Sequence, residues 1–275
     1  MSRLTFVLCA AIALTACTNS SSEMKESKTR SLVVYYSQTG ATSQVATLIA
    51  EAVGADVDTV KPVNPYTGSF EETIERCKGE FEKGEVPAVE PISKDLAAYD
   101  TIYVGYPVWF GKICQPMLGW LKTVDLKGKV VVPFCTFGSG GLNSTTAMFK
   151  EAQPGATFIE GYGVRNARVE KAPAEIEKWL VAAGIKEGEA VKLPAFGEQK
   201  AVTDSDKAIF DAACGDYPMP MGTPVTVASR AIDGGMEYEF VVDTKDAEGN
   251  PAQGRVYVIA GADANAKPEF THVDR

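Results

Sequence analysis

From residue 31 onward the chain alternates short runs of β-branched and aromatic residues with stretches whose apolar positions recur at three- and four-residue spacing. The first pattern marks strands and the second amphipathic helices, because side chains alternate across a strand but return to the same helix face about every 3.6 residues. Strands are predicted at 31–36, 56–60, 101–105, 129–135 and 157–164, and helices at 43–53, 69–83, 113–122, 144–151 and 174–183. Asp100, Gly128 and Pro173 punctuate the joins. Strands that alternate one for one with helices build a parallel sheet covered on both faces. The predicted class is therefore α/β, a doubly wound five-stranded sheet of order 2-1-3-4-5. Its ligand crevice opens at the carboxyl ends of the strands, where the order reverses between the first and third.

After Gly184 the pattern changes. Residues 186–200 read as a linker, followed by a helix at 204–213 and alternating strands at 225–232, 237–242, 254–260 and 269–273. One helix followed by a meander predicts a small α+β domain over 201–275. The start of the chain belongs to neither unit. Arg3 supplies a positive charge, residues 4–13 an apolar stretch too short to span a bilayer, and Leu14, Thr15 and Ala16 lead to Cys17. That ending resembles a bacterial lipobox, which implies a signal peptide over 1–16, lipidation of Cys17 and a polar tether over 17–30. Several acyl chains hold a protein firmly to a bilayer. The expected location is the cell envelope, after export from the cytoplasm and with a lipid anchor in the membrane. Thr18 stands where an aspartate would signal inner-membrane retention, which favours the outer membrane. The main domain then occupies 31–185.

Composition narrows the function. Of 275 residues 45% are hydrophobic and 23% charged, enough for a sizeable core. The net charge of −9, without a Lys/Arg cluster, excludes a nucleic-acid partner, which needs cations against its phosphates. Cys9 and Cys17 fall in the signal and the lipidation site, leaving Cys77, Cys114, Cys135 and Cys214, widely spaced and without a C-x-x-C pair. They read as buried thiols or at most one disulfide. No metal site is expected, since His272 is the only histidine and no Cys/His cluster has ligand spacing.

Three loops carry the candidate chemistry. The first holds Ser37, Gln38, Thr39, Gly40, Ala41 and Thr42 at the start of a helix. Backbone amides, hydroxyls and the positive end of the helix dipole converge there, a nest for a phosphate held without Lys or Arg. An ordinary capped helix start is the alternative. The second holds Pro107, Val108, Trp109, Phe110 and Gly111, a proline turn that displays aromatics beside a glycine. Trp109 and Phe110 are read either as ligand-stacking residues or as core. The third holds Thr136, Phe137, Gly138 and Ser139, followed by Gly140 and Gly141, where glycines permit close approach to a flat ligand. Ser139 lacks the glycine pattern of a nucleophile elbow, so a serine hydrolase is not expected, and no catalytic acid or base is assigned.

The S-x-T-G-x-T run after the first strand resembles the FMN phosphate loop of flavodoxins. Pro107, Trp109, Phe110 and Gly111 resemble the P-x-W-W-G loop of a bacterial subfamily, with Phe110 in place of the second tryptophan. The resemblance spans about 31–184. It implies FMN as cofactor, all fifteen loop residues as its binding site, and redox function as electron carrier or flavin-dependent oxidoreductase. Its partner would be a redox protein or a quinone-like small molecule. Tyr66, after Pro65, is placed near the flavin or a partner, or packed against the sheet. Residues 224–238 resemble the cystatin hairpin pattern, with Arg230 and Ile232 in place of its glutamine and valine, so the small domain is expected to be cystatin-like and to dock rather than inhibit proteases. A flavin-free protein-binding module using that domain is the rival reading.

Overall fold

A computed structural model describes residues 29–246, 249–263 and 265–274. The predicted signal segment, Cys17 and nearly all of the predicted tether lie outside the described residues. The larger unit runs β1 (Ser31–Tyr35), α1 (Ala41–Val53), β2 (Asp56–Thr59), α2 (Phe70–Lys83), β3 (Thr101–Trp109), β4 (Lys112–Ile113), α3 (Gln115–Leu121), β5 (Val130–Phe137), α4 (Asn143–Ala152), β6 (Thr157–Phe158), β7 (Tyr162–Arg165) and α5 (Ala172–Ala182). Its sheet has the path β2-β1-β3-β5-β6, parallel throughout, with β7 also on β5 and β4 folded back on β3. This is the doubly wound flavodoxin-like architecture, with β5 and the split β6/β7 as its fourth and fifth strands.

The strands read as near-continuous apolar runs because both faces are covered. Leu32, Val34, Ile102 and Val104 face a core closed by Trp120 and Phe149, while their neighbours Val33 and Tyr103 face a second core beneath α1 and α5, closed by Ile49, Ile176 and Leu180.

Two prolines shape the sheet around the crevice. The sequence pattern ends the third strand in a turn at Pro107, but β3 continues to Trp109. Gly105 accepts a hydrogen bond from the Tyr36 amide, so Pro107, two residues on, faces the same side, beyond the last β1–β3 pair, where its missing N–H forgoes no ladder bond. The turn comes instead at Phe110 and Gly111, both left-handed at φ 51° and 71°, which close a hairpin whose pairs are Trp109–Lys112 and Val108–Ile113. Such two-residue turns match strand twist, at about 1 kcal/mol of strain for a non-glycine residue such as Phe110. Pro133 has the opposite effect. Alternate residues of β5 bond to β3 or to the fifth strand, and Pro133 faces the fifth, where it has no N–H to offer. The predicted strand 157–164 accordingly splits into β6 and β7, with one residue more between them than β5 has opposite.

The smaller unit consists of β8 (Lys200–Ala201), α6 (Asp204–Cys214), β9 (Thr223–Ile232), β10 (Gly235–Lys245), β11 (Pro251–Gly261) and β12 (Glu269–Asp274), an antiparallel sheet of order β12-β11-β10-β9-β8. Thr203 and Asp206 form a reciprocal capping box at the start of α6. Phe210 and Cys214 of that helix pack on Val227, Phe240, Val242, Val256, Val258 and Phe270. The linker does not hang free: Phe196 lies 6.1 Å from the Tyr257 ring on the opposite face of the sheet, and the Gly197 amide donates to Ser229 O at 3.0 Å.

Candidate functional site

A cleft of about 480 Å³ opens at the carboxyl edge of the parallel sheet. All three candidate loops reach it, through Gln38, Thr39 and Thr42, through Pro107, Val108, Trp109 and Phe110, and through Thr136, Phe137 and Gly138. Ser37, Gly40, Ala41, Gly111 and Ser139 do not line it; Ser37 and Gly40 line an adjoining open groove with Tyr36 and Tyr66.

In the first loop the residues divide the labour. Ser37 turns inward, its Oγ accepting from the Gly40 and Ser43 amides, both at 3.2 Å. Gly40 caps α1 with φ 94°, a conformation open to glycine, and the helix starts two residues earlier than its apolar pattern suggested. The amides of Thr39, Ala41 and Thr42 have no acceptor among the described residues. They stand at the positive end of a 13-residue helix whose first turn has no acidic side chain. Thr39 is exposed. The Thr42 hydroxyl is instead 2.8 Å from that of Thr136, both almost fully buried, so this pair ties the first loop to the third. Two hydroxyls that share one hydrogen bond retain one proton to offer the cleft.

Gln38 extends the cradle sideways. It accepts from the Tyr36 hydroxyl through Oε1 and donates through Nε2 to Tyr66 O at 2.9 Å. Tyr36, Tyr66 and Trp109 then meet edge to face, with centroids 5.3 to 6.5 Å apart. Arg76 lies 3.8 Å over the Tyr66 ring, and the Tyr66 hydroxyl donates to Glu80. Burial, reinforced at Tyr66 by Glu80, raises both phenols well above the ordinary tyrosine value, so they remain neutral donors. Trp109 is thus set on edge within a rigid aromatic group. Phe110 is 56% exposed at the hairpin tip, its ring 5.7 Å from Phe81.

Sequence reasoning missed the far wall. Gly68, Ser69, Phe70, Thr73, Ile74 and Cys77, from the start of α2, line the cleft, as does Asn166 just after β7. A legible signal existed: Ser69 and Glu72 form a capping box, which fixes where the helix begins. The apolar stripe Phe70, Ile74, Cys77 and Phe81 then runs along one face, yet Phe70 is left 72% exposed at the rim. Burial and Glu80 push the Cys77 thiol up to about 11, so it faces the cleft as a neutral thiol. The four described cysteines are buried and free.

The smaller unit abuts the third loop. The edge strand β12 lies against residues 138–143, where the Val273 amide donates to Ser139 O at 2.8 Å and Asn143 Nδ2 to Asp274 Oδ2 at 3.2 Å. Arg168 joins the units through Glu175 and Glu269, each at 2.9 Å.

The sequence model of the family described as Flavodoxin matches residues 30–182. An NAD(P)H dehydrogenase (quinone) of Cupriavidus metallidurans is 35% identical over 129 residues, 42% of this chain and 60% of the relative, so the match spans less than two thirds of that protein's length. Among solved structures, a candidate flavoprotein of Bacteroides uniformis is 30% identical with a TM-score of 0.49, over 55% of this chain and 99% of the other. A flavoprotein of Lactobacillus acidophilus in complex with FMN is 22% identical with a TM-score of 0.43, over 52% and 97%. With more than half of its sequence matched by the family's model, on the same segment that folds into the doubly wound sheet, the chain belongs to the flavodoxin family.

Proposed function

We propose that the cleft binds FMN and that the protein is an FMN-dependent oxidoreductase at the cell envelope. The observation that carries this reading is the convergence of the three loops on one cleft whose only strong anion cradle, among the described residues, is the cation-free start of α1. That cradle suits a phosphate ester, because amides without acceptors and the helix dipole favour a dianion. Thr39 would add its hydroxyl, and the Thr42–Thr136 pair would add one proton. A flat ring system fits the remainder of the cleft, whose walls are Trp109, Val108, Phe137 and the apolar start of α2. FMN, when bound, supplies the electron chemistry, while the protein sets binding, access and potential. Phe70, Ile74 and Phe110 form an apolar rim that sheds water and leaves room for a planar apolar acceptor, in keeping with the quinone named for the Cupriavidus relative. No side chain is needed as acid or base.

The lipobox-like segment supports a lipid anchor at Cys17 and an envelope location, with a membrane quinone or a redox protein as partner. The smaller unit, with one helix on an antiparallel meander, is consistent with a cystatin-like domain. Arg230, at the position of the cystatin glutamine, is held by Glu237 at 2.6 Å and lies over Phe196, which argues against its use as an inhibitory hairpin.

The test is a titration of the full chain, in detergent micelles, with FMN, following flavin fluorescence. Sub-micromolar binding that weakens in a Thr39→Ala/Thr42→Ala variant supports the reading. Absence of binding sinks it and shifts the weight to a flavin-free binding module.

A further inference from the structure

A small domain on the end of a linker would act at a distance from the cleft. The contacts of the smaller unit point elsewhere. Arg165, the last residue of β7, donates through Nε to Gly138 O and through a terminal nitrogen to Phe270 O, both at 2.8 Å. Its guanidinium lies 4.3 Å over the Phe270 ring and 5.4 Å over that of Tyr217, in the loop that follows α6. One planar cation therefore joins the cleft wall at Gly138 to two elements of the smaller unit. One residue on, the Val273 amide, pointing away from β11, donates to Ser139 O. A methyl group on Gly138 would lie 3.2 Å from the Tyr217 hydroxyl, and one on Gly141 would lie 3.5 Å from the His272 ring, so the loop is in contact on both sides of its bend.

A glycine-rich segment such as Gly138-Ser139-Gly140-Gly141 has little conformational preference of its own. Left to itself it would sample many arrangements, and a ligand would have to order it on binding. We propose that the smaller unit is a built-in clamp for this loop, with Arg165 and Val273 as its positioning residues, and that it preorganises the cleft for the flavin ring. The clamp rests on the FMN reading above. It assigns Arg165 a second effect, because a fixed cation one peptide from the cleft wall favours a reduced, more negative ring over the oxidised one. That local field opposes the chain's overall negative charge.

The experiment compares the full chain with Arg165→Ala, Arg165→Lys and Val273→Pro, with Lys178→Ala as a control at an exposed contact between the units away from the loop. Circular dichroism and urea unfolding confirm that each variant is folded. Hydrogen exchange over 138–143 is measured without FMN, and FMN affinity and midpoint potential with it. Arg165→Ala and Val273→Pro are expected to speed exchange in this segment and to weaken FMN binding at least tenfold, and Lys178→Ala to do neither. Arg165→Ala is also expected to lower the preference for reduced over oxidised FMN about tenfold, ~30 mV for a two-electron couple, whereas Arg165→Lys retains the charge and the potential. FMN affinity unchanged in both Arg165→Ala and Val273→Pro overturns the clamp, whatever the exchange shows. If the unaltered chain binds no FMN, the cofactor reading itself has failed, and the clamp with it.

Discussion

The contact between the Thr42 and Thr136 hydroxyls offers a sharp test of how the cleft is assembled. The two oxygens are 2.8 Å apart, and the residues are 2% and 1% exposed. Replacing either threonine with valine preserves shape but leaves the other hydroxyl buried without a partner, which costs about 1–3 kcal/mol. Removing both takes away the hydrogen bond together with the need for it, so the double variant is expected within about 1 kcal/mol of the parent. The coupling from the double-mutant cycle should therefore reach at least ~1 kcal/mol. Urea unfolding of the cofactor-free protein, followed by tryptophan fluorescence, measures all four corners of the cycle. The double variant should still bind FMN, but more weakly by one hydrogen bond, roughly three- to tenfold. Additive losses, with the double variant as damaged as the sum of the singles, would refute the direct bond and indicate that each hydroxyl is satisfied separately by water in the cleft.

Other expectations follow from backbone geometry and burial. Gly40 and Gly54 bracket α1, both left-handed with open space where a methyl would project, so alanine at either should cost about 1 kcal/mol in chemical unfolding; only Gly40→Ala should also weaken FMN binding, since Gly40 shapes the amide cradle. Gly105→Ala would drive a methyl to 2.1 Å from the Phe134 ring in the central sheet, and a loss of about 3 kcal/mol or failure to fold is expected on expression and unfolding. His272 lies between the units with Asp274, Glu237 and Arg168 as its charged neighbours, and burial outweighs the two carboxylates to hold its pKa below 6.5. The unfolded chain binds the extra proton first, so stability is complete above pH 6.5 and falls as pH drops below it; unfolding curves from about pH 7 to about pH 5 should show this slope, and His272→Phe should reduce it.

Much of the architecture was legible because the signals were local. The helical spacing of α1, α2 and α6, the apolar runs of β1, β3 and β5, and the alternation in β9 to β12 each act within a few residues, and the predicted elements lie within a few residues of the observed ones. The third strand was misjudged through its own proline, Pro107, and the fifth through Pro133 of the fourth strand beside it. A proline in a strand is harmless or disruptive according to which neighbour its missing N–H would have met, and that neighbour is distant in sequence. Pro107 faces a position that β1 has already vacated, whereas Pro133 faces the fifth strand.

The candidate site shows the same division. Three loops with hydroxyls, glycines and aromatics could be picked out along the chain, and their order after the first, third and fourth strands placed them at one edge of a doubly wound sheet. That Ser37 turns inward to cap the helix, that Thr42 bonds to Thr136 across 94 positions, and that α2 supplies the far wall depend on contacts between segments that no local pattern encodes. The docking of β12 on the third loop is of the same kind: Arg165 reads as an ordinary surface cation until Gly138 and Phe270 are brought to its two ends. The sequence by itself determined the elements, their order and the chemistry present at each loop, because these follow from spacing and backbone preference. Only the tertiary structure decided which of those groups face the cleft, which satisfy one another, and that the second unit docks on the third loop, because each of those outcomes is a competition among partners that folding brings together.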